Sequence, residues 1–255
     1  MNSIIKKIVD YINGKRISET YPKWEKSLHQ LQKAIGYSFH DLTLLKAALT
    51  HKSYLRRNYD DHKTPSPFER MEFLGDSILG FIVSRELFFG HPDEQEGKLS
   101  KLKSKIVSET YLTMRAKEMD LGKYILLSPE EKLSGGASKP SILSDTVEAL
   151  ICAIYLDRGI ASAASFIKNQ LLVDYETTVT RNELVNYKSI LQEQLQSQNQ
   201  EPPHYVTIAE EGPEHSKIFV VEVRQGTKVL GTGKGSTKKS AHQEAARQAC
   251  QKLGI

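Results

Sequence analysis

The chain has 255 residues, of which 39% are hydrophobic and 26% charged, the composition of a soluble globular protein with room for one large domain or two modest ones. The formal net charge of +4 permits nucleic acid as a partner without requiring it. We find no apolar run approaching the ~18 residues of a membrane span, and the N-terminus lacks the apolar core of a signal peptide. Cys152 and Cys250 lie among apolar or small residues, so we expect reduced thiols in a cytoplasmic protein with no membrane partner.

From Leu28 to about Tyr175 the apolar residues follow a helical spacing almost throughout, and few stretches alternate with period two. This pattern predicts an all-α domain. Asp41 is a candidate N-cap, and Pro67 stands where helices favour proline, near a start. The predicted helices start after Asp41, run from Pro67 to about Phe89, from Lys98 to about Glu118, through Asp145, and from Ile160 to Val173.

One of these helices carries a row of acids. Glu69, Glu72 and Asp76 stand at i, i+3 and i+7, so at ~100° per residue they lie within about 60° of one another on one helix face. Like charges beside apolar neighbours repel one another, and desolvation raises that cost. The row therefore indicates either the solvated face of an amphipathic helix or a site where a cation or a substrate compensates the charge.

A second apolar helix carries Asp145 and Glu148 at i and i+3. Two such helices are expected to pack together. If their acidic faces meet, they form an all-oxygen cage from the carboxylates of Glu72, Asp76, Asp145 and Glu148. Hard divalent ions such as Mg²⁺ take oxygen ligands and keep several waters. The sequence has no comparable set of His and Cys, which disfavours a zinc site.

The pattern changes after Glu176. Residues 177–186 lack an apolar period and are typical of a linker. Beyond them, helical and β-rich segments follow in the order α-β-β-β-α, at Tyr187–Ser197, His204–Ala209, Ile218–Arg224, Val229–Gly233 and Lys238–Leu253. We expect a three-stranded antiparallel sheet covered on one face by two helices. The predicted organisation is an extension over 1–25, an all-α domain over 26–176, a linker over 177–186 and an α+β domain over 187–255.

Three segments of the first domain resemble ribonuclease III, in the right order. Residues 69–77, Glu-Arg-Met-Glu-Phe-Leu-Gly-Asp-Ser, match the signature of the family's endonuclease domain apart from Met71 in place of Leu, and residues 50–54 and 142–149 match two further segments. The second domain is similar to a double-stranded RNA-binding domain. The resemblance covers nearly all of the chain beyond residue 25. It implies a multidomain protein, with an all-α ribonuclease III endonuclease domain followed by an α+β double-stranded RNA-binding domain.

The resemblance implies an endoribonuclease that uses Mg²⁺, with Mn²⁺ able to substitute. It would hydrolyse double-stranded RNA without a covalent intermediate, leaving 5′-phosphate and 3′-hydroxyl ends with short 3′ overhangs. Catalysis and metal binding fall to Glu72, Asp76, Asp145 and Glu148. Glu69 and Glu96 match acids at the edge of the site, although Glu96 is equally a helix N-terminal carboxylate favoured by the macrodipole. The resemblance also implies a homodimer through the catalytic domain and processing of ribosomal and other structured RNA precursors.

In the second domain the resemblance implies two minor-groove probes and a basic clamp, which suit the wide, shallow minor groove of double-stranded RNA. The RNA-binding residues are then Gln192, Glu193, Pro213, His215, Lys238, Lys239 and His242. From Tyr187 to Ile255 there are nine Lys or Arg against seven Glu, a net charge of only +2, so the local cluster carries this assignment. Residues 231–236 lack the spacing of a P-loop, and no nucleotide cofactor is expected.

Two other classes of protein remain possible at this stage. One is a noncatalytic RNA-binding or ribosome-associated protein on the same fold, which the complete acid set argues against. The other is a metal-dependent phosphohydrolase of small nucleotides, which the second domain disfavours. The chain also departs from the family pattern at Phe68 for Asn, at Asn186 for Asp, and at Ser128-Pro129 in place of a Gly-containing turn, and none of these removes a candidate metal ligand.

Overall fold

The computed structural model describes residues 22–59, 66–180, 186–213 and 217–255. The chain divides into two compact units, Met1–Leu184 and Val185–Ile255. In the first unit the described α-helices are α1 (Pro22–Ala34), α2 (Leu42–Leu49), α3 (Lys52–Tyr59), α4 (Pro67–Gly90), α5 (Glu96–Ile106), α6 (Glu109–Glu118), α7 (Pro129–Leu133), α8 (Pro140–Phe166) and α9 (Tyr175–Thr178). The second unit contains α10 (Tyr187–Ser197), β1 (His204–Glu211), β2 (Ile218–Gln225), β3 (Lys228–Gly235) and α11 (Lys238–Leu253).

Helix α8 is the central element of the first unit. Val147, Leu150 and Ile151 on this helix are fully buried, and the helix packs against α2, α4 and α6. By length and composition alone, the segment Pro140–Leu171 could cross a membrane. The apolar surface instead faces the core of the domain, where each buried aliphatic side chain contributes about 1.5–3 kcal/mol to stability.

Side-chain caps mark the starts of α2 and α6. One start agrees with the prediction, and the other divides a helix that was predicted to be continuous. Asp41 accepts a hydrogen bond from the Thr43 amide and begins α2, as predicted. The single helix predicted from Lys98 to Glu118 is wrong, because Ser108 accepts a hydrogen bond from the Tyr111 amide and starts a new helix there. A serine hydroxyl satisfies one of the unpaired amides at a helix N-terminus, so it favours a break over a continuous helix.

The described part of the first unit extends beyond both predicted limits. Helix α1 begins at Pro22, inside the segment assigned to the extension, and residues 1–21 lie outside the described residues. At the other end Val179 is buried in the domain core, and Arg115 donates hydrogen bonds to the Val173 carbonyl (2.6 Å) and the Asp174 carboxylate (2.7 Å). The start of the predicted linker at 177–186 therefore belongs to the helical unit, and 181–185 lie outside the described residues.

Helices α4 and α8 approach one another closely at Gly75. A Cβ atom built on Gly75 would overlap the backbone carbonyl of Glu148. Only glycine allows the two backbones to touch in this way, because any other residue places its first side-chain carbon in that space. The contact brings together the two helices that carry the predicted acids.

The second unit has the predicted α-β-β-β-α order and a three-stranded antiparallel sheet in the order β1-β2-β3. Every second residue of β3 from Gly231 to Gly235 is a glycine, and a Cβ on any of the three would overlap the backbone of α11 at Ala241, Ser240, Ala245 or Ala249. The strand and the helix therefore lie against each other with almost no side chains between them. Asn186 accepts a hydrogen bond from the Ser189 amide (3.3 Å) and caps α10, so its departure from the family pattern preserves a capping oxygen.

We predict that Gly75→Ala lowers the free energy of unfolding of the helical domain by about 3 kcal/mol, because the added methyl group forces α4 and α8 apart. Gly80→Ala on the same helix is the matched control. Its Cβ would meet only the end of the Lys103 side chain, at 3.8 Å. The control is expected to be neutral or up to about 1 kcal/mol more stable, as alanine favours helices over glycine. Urea denaturation followed by circular dichroism measures both, and equal stabilities would contradict the close-approach role.

Candidate active site

The close contact between α4 and α8 assembles four acids from two distant parts of the chain. Glu72 and Asp76 flank Gly75 on α4, and Asp145 and Glu148 lie on α8. Glu148 contributes the backbone carbonyl that Gly75 touches, and its carboxylate lies near enough to those of Asp76 and Glu72 for their charges to raise its pKa. Asp76 is exposed, whereas the other three carboxylates are half-buried. The sequence prediction that the two acidic faces meet is consistent with this arrangement.

Electrostatics show that the acids act on one another. Burial first, and then the charges of Asp76, Asp145 and Glu72, raise the pKa of Glu148 to about 8. Burial, followed by the charges of Asp145, Glu69 and Asp76, raises the pKa of Glu72. Burial is also the largest cause that raises the pKa of Asp145. In the absence of a cation, Glu148 therefore holds at neutral pH a proton that an isolated carboxylate would release.

The donor set fits a hard divalent cation. All four groups are carboxylates, which are the ligands that Mg²⁺ prefers, and Mg²⁺ needs only one or two of them because it retains waters. Within the described ranges, no three His, Cys, Asp or Glu side chains already surround one point closely enough to hold a metal ion. The fit rests on the oxygen chemistry and on the mutual repulsion that a cation would relieve. The ligand roles of Glu72, Asp76, Asp145 and Glu148 stay predictions.

Comparison with known proteins identifies the family of both domains. Residues 41–175 match the family model described as Ribonuclease-III-like, and residues 187–253 match the model described as double-stranded RNA binding motif. A Ribonuclease 3 from Syntrophobacter fumaroxidans is 42% identical over 230 residues, which is 88% of this chain and 93% of that one. A Ribonuclease 3 from Solibacter usitatus is 40% identical over 232 residues, 88% of this chain and 86% of that one. The chain belongs to the ribonuclease III family.

Solved structures give the same result for the helical unit. The nuclease domain of ribonuclease III from Campylobacter jejuni is 37% identical, with a TM-score of 0.53 over 61% of this chain and 98% of that one. A second structure of the same domain, whose title names a flexible region involved in dimer formation, is 39% identical, with a TM-score of 0.50 over 56% of this chain and 97% of that one. By its family, the present chain is a double-stranded RNA endoribonuclease. The family generally uses a divalent metal.

The two acids predicted at the edge of the ribonuclease III site have different surroundings. Glu69 accepts a hydrogen bond from the Lys52 ammonium group at 2.7 Å, and its charge raises the pKa of Glu72 and Asp145. Glu96 is the first residue of α5, and its carboxylate accepts a hydrogen bond from the Ser100 hydroxyl (2.6 Å) four residues later. Glu69 thus belongs to the electrostatic neighbourhood of the acids, and a role for Glu96 in the site stays a prediction.

The predicted RNA-binding residues of the second domain lie on two helices and a turn. Gln192 and Glu193 are exposed on α10, Pro213 is exposed after the left-handed Gly212, and His215 lies outside the described residues. Lys238 and Lys239 are exposed in the first turn of α11, which Thr237 caps. A helix N-terminus carries positive potential, so this end of α11 attracts phosphate. RNA contact by all of these residues stays a prediction.

His242, predicted to bind RNA, also contacts an aromatic side chain, which the sequence does not indicate. Its ring stacks on Tyr205 with centroids 4.9 Å apart, and the Lys188 ammonium group lies 4.8 Å from the centroid of the same tyrosine ring. Burial and the charges of Lys188 and Lys238 lower the pKa of His242. The imidazole is therefore mostly neutral at pH 7 in the free domain, so the positive charge of the predicted clamp would come from Lys238 and Lys239.

Two residues near the acids went unassigned from sequence. Lys52, which reads as an ordinary surface or packing residue in the sequence, pairs with Glu69 across 17 positions. Glu109, at the start of α6, raises the pKa of Asp145 through its negative charge. Neither belongs to an acidic motif, and although Lys52 lies in the segment 50–54 that resembles the family, only the folded arrangement shows its pairing with Glu69.

We predict that the metal-free helical domain becomes less stable as pH rises from about 4.5 to about 8, the ordinary and the folded pKa values of Glu148. Below this window both folded and unfolded states hold the proton. Within it only the folded state does, so ionisation favours unfolding as the pH increases; above it both states are ionised. Glu148→Gln should remove most of this loss, on the order of 3 kcal/mol. Thermal melting in EDTA at pH 5 and pH 8.5 tests this, and equal pH dependence in both proteins would contradict it.

Proposed function

We propose that this ribonuclease III uses Mg²⁺, with Mn²⁺ able to substitute, to hydrolyse phosphodiester bonds of double-stranded RNA. The products would carry 5′-phosphate and 3′-hydroxyl ends. The observation that carries the proposal is the packing of α4 against α8, which assembles four mutually repelling carboxylates in a chain that also contains a double-stranded RNA-binding domain. No nucleotide cofactor is part of the proposal.

The proposed chemistry assigns binding and proton-holding tasks to the four carboxylates. Phosphodiester hydrolysis needs an in-line water, neutralisation of the phosphate and stabilisation of the leaving oxygen. A divalent metal, when bound, activates water and clamps these oxygens. Glu72, Asp76, Asp145 and Glu148 would hold the metal. Glu148, whose pKa lies near 8, releases its proton when a cation offsets the neighbouring charges.

The alternative of a noncatalytic RNA-binding protein accounts less well for the acids. A scaffold gains nothing from half-buried carboxylates whose pKa values are raised first by burial and then by mutual repulsion, as those of Glu72 and Glu148 are. A phosphohydrolase acting on small nucleotides has no use for the second domain. The family relationship and the acid cluster together favour the endoribonuclease.

The proposal includes a homodimer formed through the catalytic domain. Phe73, Phe81 and Phe88 are exposed on α4, at 75%, 59% and 65% of their surface, and three large aromatic side chains in water on one helix are typical of an interface. The dimer-forming region named for the Campylobacter nuclease domain is a second support. In a dimer each subunit would cut one strand, leaving short 3′ overhangs.

The cellular role is proposed from the family expectation. The substrates would be precursors of ribosomal RNA and other structured RNAs, processed in the cytoplasm. The two cysteines, Cys152 and Cys250, are buried free thiols, which suits a reducing compartment.

We predict that Glu148→Gln and Asp76→Asn each lower cleavage by at least about 10²-fold while double-stranded RNA binding is retained, because each removes a metal-binding charge and keeps the side-chain shape. The assay uses a long duplex at saturating concentration with low millimolar Mg²⁺, against EDTA, and sequences the product ends. Asp93→Asn, in an exposed turn, is the control and should cleave normally. Cleavage by Glu148→Gln at the normal rate would exclude the metal-site assignment.

For RNA binding, we predict that Lys238→Ala combined with Lys239→Ala weakens affinity for all duplex sequences. The negative slope of log K against log salt should become shallower by about 1–2, since each lost phosphate contact releases fewer counterions. Lys252→Ala, at the opposite end of α11, should leave the slope unchanged. Titrations at several salt concentrations measure both slopes. A double variant with an unaltered slope would show that these lysines do not bind phosphate.

A further inference from the structure

Lys52 stands at the edge of the acidic site and touches it from outside the two acid-bearing helices. It is the first residue of α3, and its ammonium group donates to the Glu69 carboxylate at 2.7 Å. Glu69 lies one helical turn before Glu72. The charge of Lys52 also opposes the rise in pKa of Glu72 and of Asp145, so it is felt on both α4 and α8.

Buried contacts fix both ends of this ion pair. His51, which precedes Lys52, meets Phe68, which precedes Glu69, in an edge-on ring contact with centroids 5.4 Å apart. Both rings are buried. The His51 amide donates to the Leu126 carbonyl at 3.1 Å, which ties the segment to a second part of the chain. The backbone of Lys52 is therefore held in place, and Phe68, a departure from the family pattern, is half of the contact that holds it.

The ion pair is too exposed to serve mainly as a stabilising contact. The side chains of Lys52 and Glu69 are 39% and 41% exposed, and pairs of this kind contribute little to folding. Its effect is instead on the local balance of charge. Without Lys52, Glu69 would add a further uncompensated carboxylate beside Glu72.

We propose that Lys52 is a positioning residue of the acidic site, which keeps Glu69 paired and apart from Glu72, Asp76, Asp145 and Glu148 and thereby limits how tightly the site binds a divalent cation. This inference rests on the proposed metal site. A positively charged side chain that weakens metal binding can still serve a nuclease. It lets the acids remain assembled with less repulsion before metal and substrate arrive, and it keeps the fifth carboxylate out of the metal's coordination shell.

The test measures Mn²⁺ binding to the full chain without RNA, by isothermal titration calorimetry. Lys52→Met should tighten Mn²⁺ binding about fivefold, because a positive charge is lost and Glu69 is released. Glu69→Gln should weaken it, because Lys52 is then unpaired. The double variant should return close to the wild-type affinity, and Lys52→Arg should match the wild type. Lys123→Met is the matched control, since it breaks an exposed ion pair with Asp120 within one helical turn and should leave Mn²⁺ binding unchanged.

The outcomes separate this inference from the metal site itself. If wild-type protein does not bind Mn²⁺, the proposed metal site fails and the role of Lys52 fails with it. If wild-type protein binds Mn²⁺ and Lys52→Met binds it equally well, the metal site stands and the positioning role is overturned. Weaker RNA binding by Lys52→Met with unchanged Mn²⁺ affinity would also overturn it, and would instead make Lys52 a phosphate contact. Should Lys52→Met fail to fold, Glu69→Gln and Lys52→Arg still decide the question.

Discussion

The backbone contact between Gly75 and Glu148 determines the separation of the two helices that carry the acids. Helices packed through ordinary side chains lie 8–10 Å apart, whereas a glycine at the crossing point lets the backbones meet. That separation controls the electrostatics of the site, because the repulsion between carboxylates falls with distance. Gly75, which permits the close approach, directly precedes Asp76, whose charge acts on Glu148 across the contact. Burial is the largest cause of the raised pKa of Glu148, and the charges of Asp76 and Glu72 across this contact raise it further.

The acid cluster lowers the stability of the domain, because it places like charges close together and partly out of water. The large core around α8 supplies the surplus stability that such a cluster requires, since its buried apolar residues outweigh a few kcal/mol of repulsion. Proteins commonly concentrate unfavourable arrangements at functional sites and compensate them elsewhere. A bound cation would remove the repulsion and stabilise the folded state by mass action, which couples metal concentration to the stability of the domain.

Local signals predicted most elements of the fold, and tertiary contacts account for what was missed. The predicted starts of α10 and α11 are confirmed, and Asn186 and Thr237 cap these two helices at that end. The break before α6 was missed because the sequence alone does not distinguish the capping Ser108 from an exposed helical serine such as Ser104. The spacing of the acids identified the candidate ligands. The pairing of Lys52 with Glu69 could not be predicted, since it depends on how α3 packs beside α4 and no periodic pattern encodes that.

The glycine-and-alanine contact between β3 and α11 has a consequence for how the RNA-binding domain can evolve. At Gly231, Gly233 and Gly235 of β3 the space toward α11 is already filled, so an additional methyl group there has nowhere to go, whereas the opposite sheet surface carries exposed side chains such as Val206 and Ile208 that a variant can exchange. Substitutions in this domain are therefore expected to accumulate at exposed positions and to be rare at the contact between β3 and α11. New binding preferences can be acquired on the exposed loops and the outer sheet surface, while the distance between β3 and α11, whose first turn carries the predicted RNA-binding residues Lys238 and Lys239, is inherited nearly unchanged.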